Sequence, residues 1–183
     1  QLVGGTLASG SYSLTGTYGT LTLNSKTGAY SYSLNNNSSA TNALAGGSAV
    51  TENFAVRVTD GSNTTASQNL VINITGANDA PVITSGRTAS VAENAPTSTV
   101  IYRPVATDPD TGDTRTFSIG GPDAAYFNIN AGSGVVTLKN SANYEIKSSY
   151  QFVVTVTDAG GKSDIQGVTL SVTNVAESYS GTI

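Results

Sequence analysis

Three of the twelve acidic residues crowd one loop, Asp108-Pro109-Asp110-Thr111-Gly112-Asp113. Carboxylates that close repel one another. Set among small, turn-forming residues, they make the donor set a hard cation requires, because Ca2+ takes six to eight oxygens from Asp, Glu, Asn and backbone carbonyls at about 2.3–2.6 Å. Asx-turns and a soluble surface account for the same residues without an ion. An EF-hand is excluded by spacing, since the position that would hold its bidentate Glu is Ile119. The other acids are more scattered. Asp79 lies in Gly76-Ala77-Asn78-Asp79-Ala80-Pro81, while Glu93 in Val91-Ala92-Glu93-Asn94 and Glu145 in Asn143-Tyr144-Glu145 are single acids beside apolar or aromatic neighbours. Taken alone, either fits an ordinary surface acid. Asp60 and Asp158 each close an alternating segment, where turn-capping and metal ligation are equally open.

Other chemistries are excluded by composition. The chain has no Cys, His or Met, so zinc sites, thiol nucleophiles, Ser-His-Asp triads and imidazole acid-base steps have no residues to use. Paired carboxylates serve glycosidases, but these acids sit in a turn and a connector, and there is no Trp to build sugar subsites. No enzyme activity is expected. The net charge is -4, with eight Lys and Arg spread thinly from Lys26 to Lys162, which disfavours nucleic acid and anionic membrane surfaces. No apolar run is long enough for a helical membrane span. The opening Gln1-Leu2-Val3-Gly4-Gly5 reads as a cut from a longer chain, and the fragment is expected to be monomeric. A Cys-free, Ser/Thr-rich composition permits secretion without demanding it.

The elements that must position the acids come in copies. Phe54-Ala55-Val56-Arg57-Val58-Thr59-Asp60-Gly61 alternates apolar and polar residues and returns 98 residues later as Phe152-Val153-Val154-Thr155-Val156-Thr157-Asp158-Ala159. Each copy is followed by one more alternating strand, Leu70 to Ile74 and Val168 to Val172. A second pair, Leu21 to Gly28 and Phe127 to Gly134, is 106 residues apart and reads as two hairpins whose Gly supplies a positive φ. The larger separation places about eight extra residues of the first copy in the polar stretch 35–48, as a surface loop or a short helical turn near Ala43-Leu44-Ala45. The expected fold is all-β: two tandem antiparallel, Ig-like β-sandwiches, residues 1–78 and 79–178, with 179–183 a tail or the start of another module. Pro81 stops strand pairing, so the connector is short and fairly straight.

These residues carry a resemblance. The second half resembles a bacterial cadherin-like domain over about residues 79 to 178: Asn78-Asp79-Ala80-Pro81 matches the linker, Val91-Ala92-Glu93-Asn94 the early glutamate motif and Asp108-Pro109-Asp110 the paired-aspartate motif. Phe127 to Gly134, Tyr144-Glu145 and Val156-Thr157-Asp158 add to it. The first half is similar to VCBS repeats through Gly16-Thr17-Tyr18-Gly19-Thr20-Leu21-Thr22-Leu23, Gly28-Ala29-Tyr30-Ser31-Tyr32 and the ending from Thr59-Asp60-Gly61 through Ile74-Thr75-Gly76-Ala77-Asn78-Asp79-Ala80-Pro81. Both families are common in long RTX-type adhesins and other type I secreted surface proteins of Gram-negative bacteria.

The resemblance implies Ca2+ at the ends of the modules. One set would be Asn78, Asp79, Asp108, Asp110, Asp113 and Asp158, with Glu52 as a weakly aligned addition; a distal set would be Glu93, Glu145, Asn174 and Glu177. Two departures weaken the distal set. Asn143 stands where the motif usually has Asp, and the second linker, Asn174-Val175-Ala176-Glu177-Ser178, lacks the usual Asp and Pro. The expected role is a calcium-stabilised spacer of a cell-surface or biofilm adhesin, with neighbouring repeats of the same chain as partners. The alternatives are homophilic adhesion between like modules and carbohydrate binding, the latter through Tyr12, Tyr18, Tyr30 and Tyr32, for which core or cross-strand packing is the competing role.

Overall fold

A computed structural model describes residues 1–60 and 62–177. Gly61, and the expected module end and tail from Ser178 onward, lie outside the described residues. The chain divides into two compact units: Gln1–Asp79 with Pro109–Gly112, and Ala80–Asp108 with the residues from Asp113 onward.

In unit 1, β1 (Thr6–Ala8), β2 (Ser11–Thr15), β3 (Gly19–Asn24) and β4 (Tyr30–Leu34) form an antiparallel sheet in chain order. After the one-turn helix α1 (Ser39–Asn42), β5 (Ala49–Val56) and β6 (Gln68–Thr75) form an antiparallel pair. Alternation decides the inner face: Leu21 and Leu23 of β3 are buried while Thr20, Thr22 and Asn24 are not. Leu2, Leu21, Leu23 and Phe54 make the core, flanked by Tyr12, Leu14, Tyr32, Val56, Leu70 and Ile72. The helical turn precedes the expected Ala43-Leu44-Ala45 because Ser38 caps it, its hydroxyl accepting from Ala40 N at 3.2 Å. Residues 43–45 form the stretch against which Gly76 lies; a Cβ there would stand 2.3 Å from the Leu44 carbonyl oxygen.

Unit 2 contains β7 (Val82–Ile83), β8 (Thr88–Ala92), β9 (Val100–Tyr102), β10 (Ala106–Thr107), β11 (Arg115–Gly120), β12 (Phe127–Ile129), β13 (Val136–Leu138), β14 (Ser149–Asp158) and β15 (Ser163–Thr173). Its larger sheet has the order β11-β14-β15-β8, a second runs β12-β13-β9, and β10 pairs with β7. Every second residue of β14 from Tyr150 to Asp158 is buried, as is every second residue of β15 from Gln166 to Val172. Phe152 is the hub, with ring centroids 4.6 Å from Phe127 and 5.9 Å from Tyr102. Burial of each such side chain contributes about 1.5–3 kcal/mol. One pairing departs from the antiparallel expectation: β8 lies parallel to β15, Thr88 opposite Thr169 and Ala92 opposite Thr173.

The hairpins match in detail. Asn24 Oδ1 accepts the N–H of Lys26 and Thr27, both at 2.9 Å; 106 residues on, Asn130 Oδ1 accepts those of Gly132 and Ser133 at 3.0 and 2.8 Å. Gly28 and Gly134 close the two turns at φ of 73° and 70°.

Candidate metal centres

Unit 2 gathers carboxylates at two places. Asp108 follows β10, Asp113 precedes β11 and Asp158 ends β14, so three strand termini deliver one oxygen each, all within 4.8 Å of one another. Asp158 is buried and the other two are half-buried, with Asp108 Oδ2 shielded from solvent. The turn-capping alternative is met by the same side chains: Asp158 Oδ1 accepts Lys162 N–H at 2.7 Å, and Asp113 Oδ1 accepts the N–H of Thr114 at 2.7 Å and of Ala159 at 3.3 Å. Those bonds fix the Asp158 and Asp113 carboxylates in place. The donor set fits Ca2+, since two oxygens each about 2.4 Å from one ion stand at most about 4.8 Å apart.

Asp110, also buried, is placed differently within the loop. It belongs to the segment grouped with unit 1, where its Oδ2 accepts Asp79 N–H at 2.7 Å. In the same stretch Asn78 Nδ2 donates to the Asp79 carbonyl at 3.0 Å.

The second group is Glu93, Glu145 and Glu177, again with oxygens within 4.8 Å. Glu93 is only 3% exposed, its Oε1 accepting Val175 N–H at 2.7 Å and its Oε2 accepting Tyr144 N–H at 3.0 Å. Those backbone donors, Val175 first, hold its carboxyl below the usual Glu range. Glu145 and Glu177 are exposed, and Asn174 Nδ2 donates to Glu145 Oε1 at 3.1 Å.

Two acids have internal roles. Asp60 caps its own exposed turn, accepting from Asn63 N at 2.7 Å and Ser62 N at 3.1 Å, and these bonds lower its pKa. Glu52 is buried inside unit 1, where its Oε1 accepts from Thr17 N and Tyr18 N and its Oε2 from the Tyr32 hydroxyl. Burial, then the Glu52 contact, pushes the Tyr32 pKa far up.

One pair escaped sequence reasoning. Lys147 Nζ lies 2.9 Å from Asp123 Oδ1 and 5.7 and 5.2 Å from the ring centroids of Tyr126 and Tyr150. Neither residue stands in a repeated motif, so no spacing pointed to them.

The family model for the cadherin domain matches residues 87–174, so a cadherin domain is present in the second unit. Cadherin EGF LAG seven-pass G-type receptor 2 of Mus musculus is 32% identical over 143 residues, 71% of this chain and 5% of that receptor. Cadherin-related family member 1a of Danio rerio is 32% identical over 128 residues, 67% of this chain and 15% of that protein. The chain thus spans a small part of these animal relatives. Among solved structures, mouse Cadherin-23 EC22-24 aligns with a TM-score of 0.61 at 21% identity, over 85% of this chain and 50% of that one. Human CDH23 EC21-23 aligns at 0.64 and 18%, over 84% and 50%. At such identities the likeness establishes the cadherin-like sandwich fold.

Proposed function

We propose that the chain is a calcium-stabilised, non-catalytic spacer of an extracellular adhesin or exoprotein. Cadherin-like domains are adhesion or extracellular structural modules, and residues 87–174 match that domain. The bacterial surface assignment rests on the VCBS-like motifs of residues 16–32 and 59–81. The observation that carries the calcium reading is the convergence of Asp108, Asp113 and Asp158 from three strand ends onto a space of one ion's coordination diameter. Asn78, Asp79 and Asp110 join that set on the strength of the linker and paired-aspartate motifs. A bound Ca2+ supplies the charge that relieves repulsion among the carboxylates.

In this reading the ion stiffens the connector at the module boundary near residues 78 and 79, letting an array of repeats project an adhesive tip. The distal group at Glu93, Glu145, Asn174 and Glu177 binds more weakly, because Asn143 replaces an anionic ligand and Glu145 and Glu177 are exposed. Neighbouring repeats of the same chain are the partners.

The test is thermal unfolding in excess chelator and then across a calcium titration, for the parent and for the variant with Asp108→Ala and Asp110→Ala together. A melting temperature that climbs with calcium in the parent, and much less in the variant, supports the structural ion. A parent melt indifferent to calcium sinks it.

A further inference from the structure

The two sheets of unit 1 are packed at one level and open at the next. In the closed row Leu14, Leu21 and Tyr32 stand side by side across the strands; Leu21 is fully buried and the Tyr32 hydroxyl donates to Glu52. Two residues further along β3, the row becomes Tyr12, Leu23 and Tyr30. Directly opposed residues share a face, and Leu23 is buried, so both tyrosines lie on the inner side of the sheet. Tyr30 is nevertheless 56% exposed, because this row borders a cleft of about 560 Å³ whose other side includes Val56 and Leu70. That volume falls within the range of small-ligand sites.

The polar part of the cleft has one sign. Lys26 and Arg57 line it together with the amides of Asn24 and Gln68, and no Asp or Glu does, although acids outnumber bases in the chain by twelve to eight. Arg57 Nε donates to Gln1 Oε1 at 2.9 Å, which orients the guanidinium. Asp60, the nearest acid in sequence, has its carboxylate folded into its own turn.

We propose that this cleft binds a carboxylated saccharide. The exposed Tyr30 ring, on the same row as half-buried Tyr12, offers a face for the apolar side of a pyranose, the Gln68 amide and Asn24 Nδ2 match hydroxyls, and the guanidinium matches a carboxylate in bidentate fashion. A neutral sugar would leave the two cations unused. The carboxylate belongs to a uronic acid or a sialic acid, two sources with the same recognition chemistry. The site is independent of the calcium reading and shares no residue with either acidic group.

The experiment titrates the full chain in calcium-free buffer with trigalacturonate, 3′-sialyllactose and neutral lactose, followed by calorimetry and amide NMR shifts. Calcium is omitted because uronates bind it themselves. The expected result is saturable binding of one acidic probe with a Kd of about a millimolar or tighter, and of lactose about tenfold weaker. Arg57→Ala should remove the preference for the acid, and Tyr30→Ala should weaken both by about tenfold. Both substitutions are at exposed positions, and an unchanged melt separates lost binding from lost fold. Absence of saturation with both acidic probes overturns the proposal, as does equal affinity for lactose or binding insensitive to both substitutions.

Discussion

At the scale of single residues, Glu52 shows how an acid that resembles a ligand can be committed elsewhere. Its carboxylate accepts from two backbone N–H groups about 35 residues upstream and from the Tyr32 hydroxyl. Glu52→Ala leaves those donors without their acceptor in a part-buried site, so a loss of about 2–3 kcal/mol is expected in denaturant unfolding of unit 1. Sequence suggested a weakly aligned ligand here, because nothing in the spacing reveals a loop folded back onto β5. The Asp123–Lys147 pair was equally silent in sequence, and it carries a pH signature. The Lys147 hydrogen bond, then that of the Gln151 N–H, lowers the Asp123 pKa below its ordinary 3.8. A depressed folded pKa contributes stability that is fully present above the unfolded value and lost as pH falls through the folded one. The stability difference between parent and Lys147→Met should therefore be constant near neutrality and shrink below about pH 4. A difference that persists undiminished to pH 2 would assign the effect to packing on Tyr126 and Tyr150.

At the scale of elements, the repeat made much of the fold legible. The offset of 106 paired Asn24 and Gly28 with Asn130 and Gly134, and the structure gives both hairpins the same Asn acceptor and left-handed Gly. Energetically the copies differ, which sequence did not reveal. A Cβ on Gly28 meets nothing within 4 Å, whereas one on Gly134 would lie 2.4 Å from Pro104 Cγ and 3.0 Å from the Phe117 ring. Gly28→Ala should cost about 1 kcal/mol from the positive φ alone. Gly134→Ala adds a clash in the core and should cost several times as much, which paired urea melts would measure. Equal costs would mean that Pro104 and Phe117 can move aside. Other features were harder to read. A short alternating segment such as Thr88–Ala92 looks the same whether its partner runs parallel or antiparallel, and nothing in the polar run Asn35-Asn36-Asn37-Ser38-Ser39 singles out Ser38 as the cap.

At the scale of the whole molecule, both groups of three carboxylates among the described residues lie in unit 2, and calcium dependence should be strongest there. Their membership in one group was legible as a family motif, but the grouping of Asp158 with Asp108 and Asp113 depends on three strand ends meeting, and proximity in the chain gave only the last two. Glu177, at the margin of the expected distal set, arrives beside Glu93 and Glu145 in the same way. The cores are unequal. Among the described residues, a cluster of four buried apolar side chains, with Ile74 buried outside it, anchors unit 1, while unit 2 clusters fifteen around Phe152. Calorimetry in chelator should therefore resolve two transitions, assigned by Phe54→Ala and Phe152→Ala, each of which should lower its own transition through a loss of about 3–5 kcal/mol. Calcium at about a hundred times its Kd adds about 2.7 kcal/mol to the state that binds it, a rise of about 10–20 °C for a domain of this size. That rise belongs to the transition Phe152→Ala lowers. If only the Phe54-sensitive transition climbs, the ion is held by unit 1, through Asp79 and Asp110 in place of Asp158.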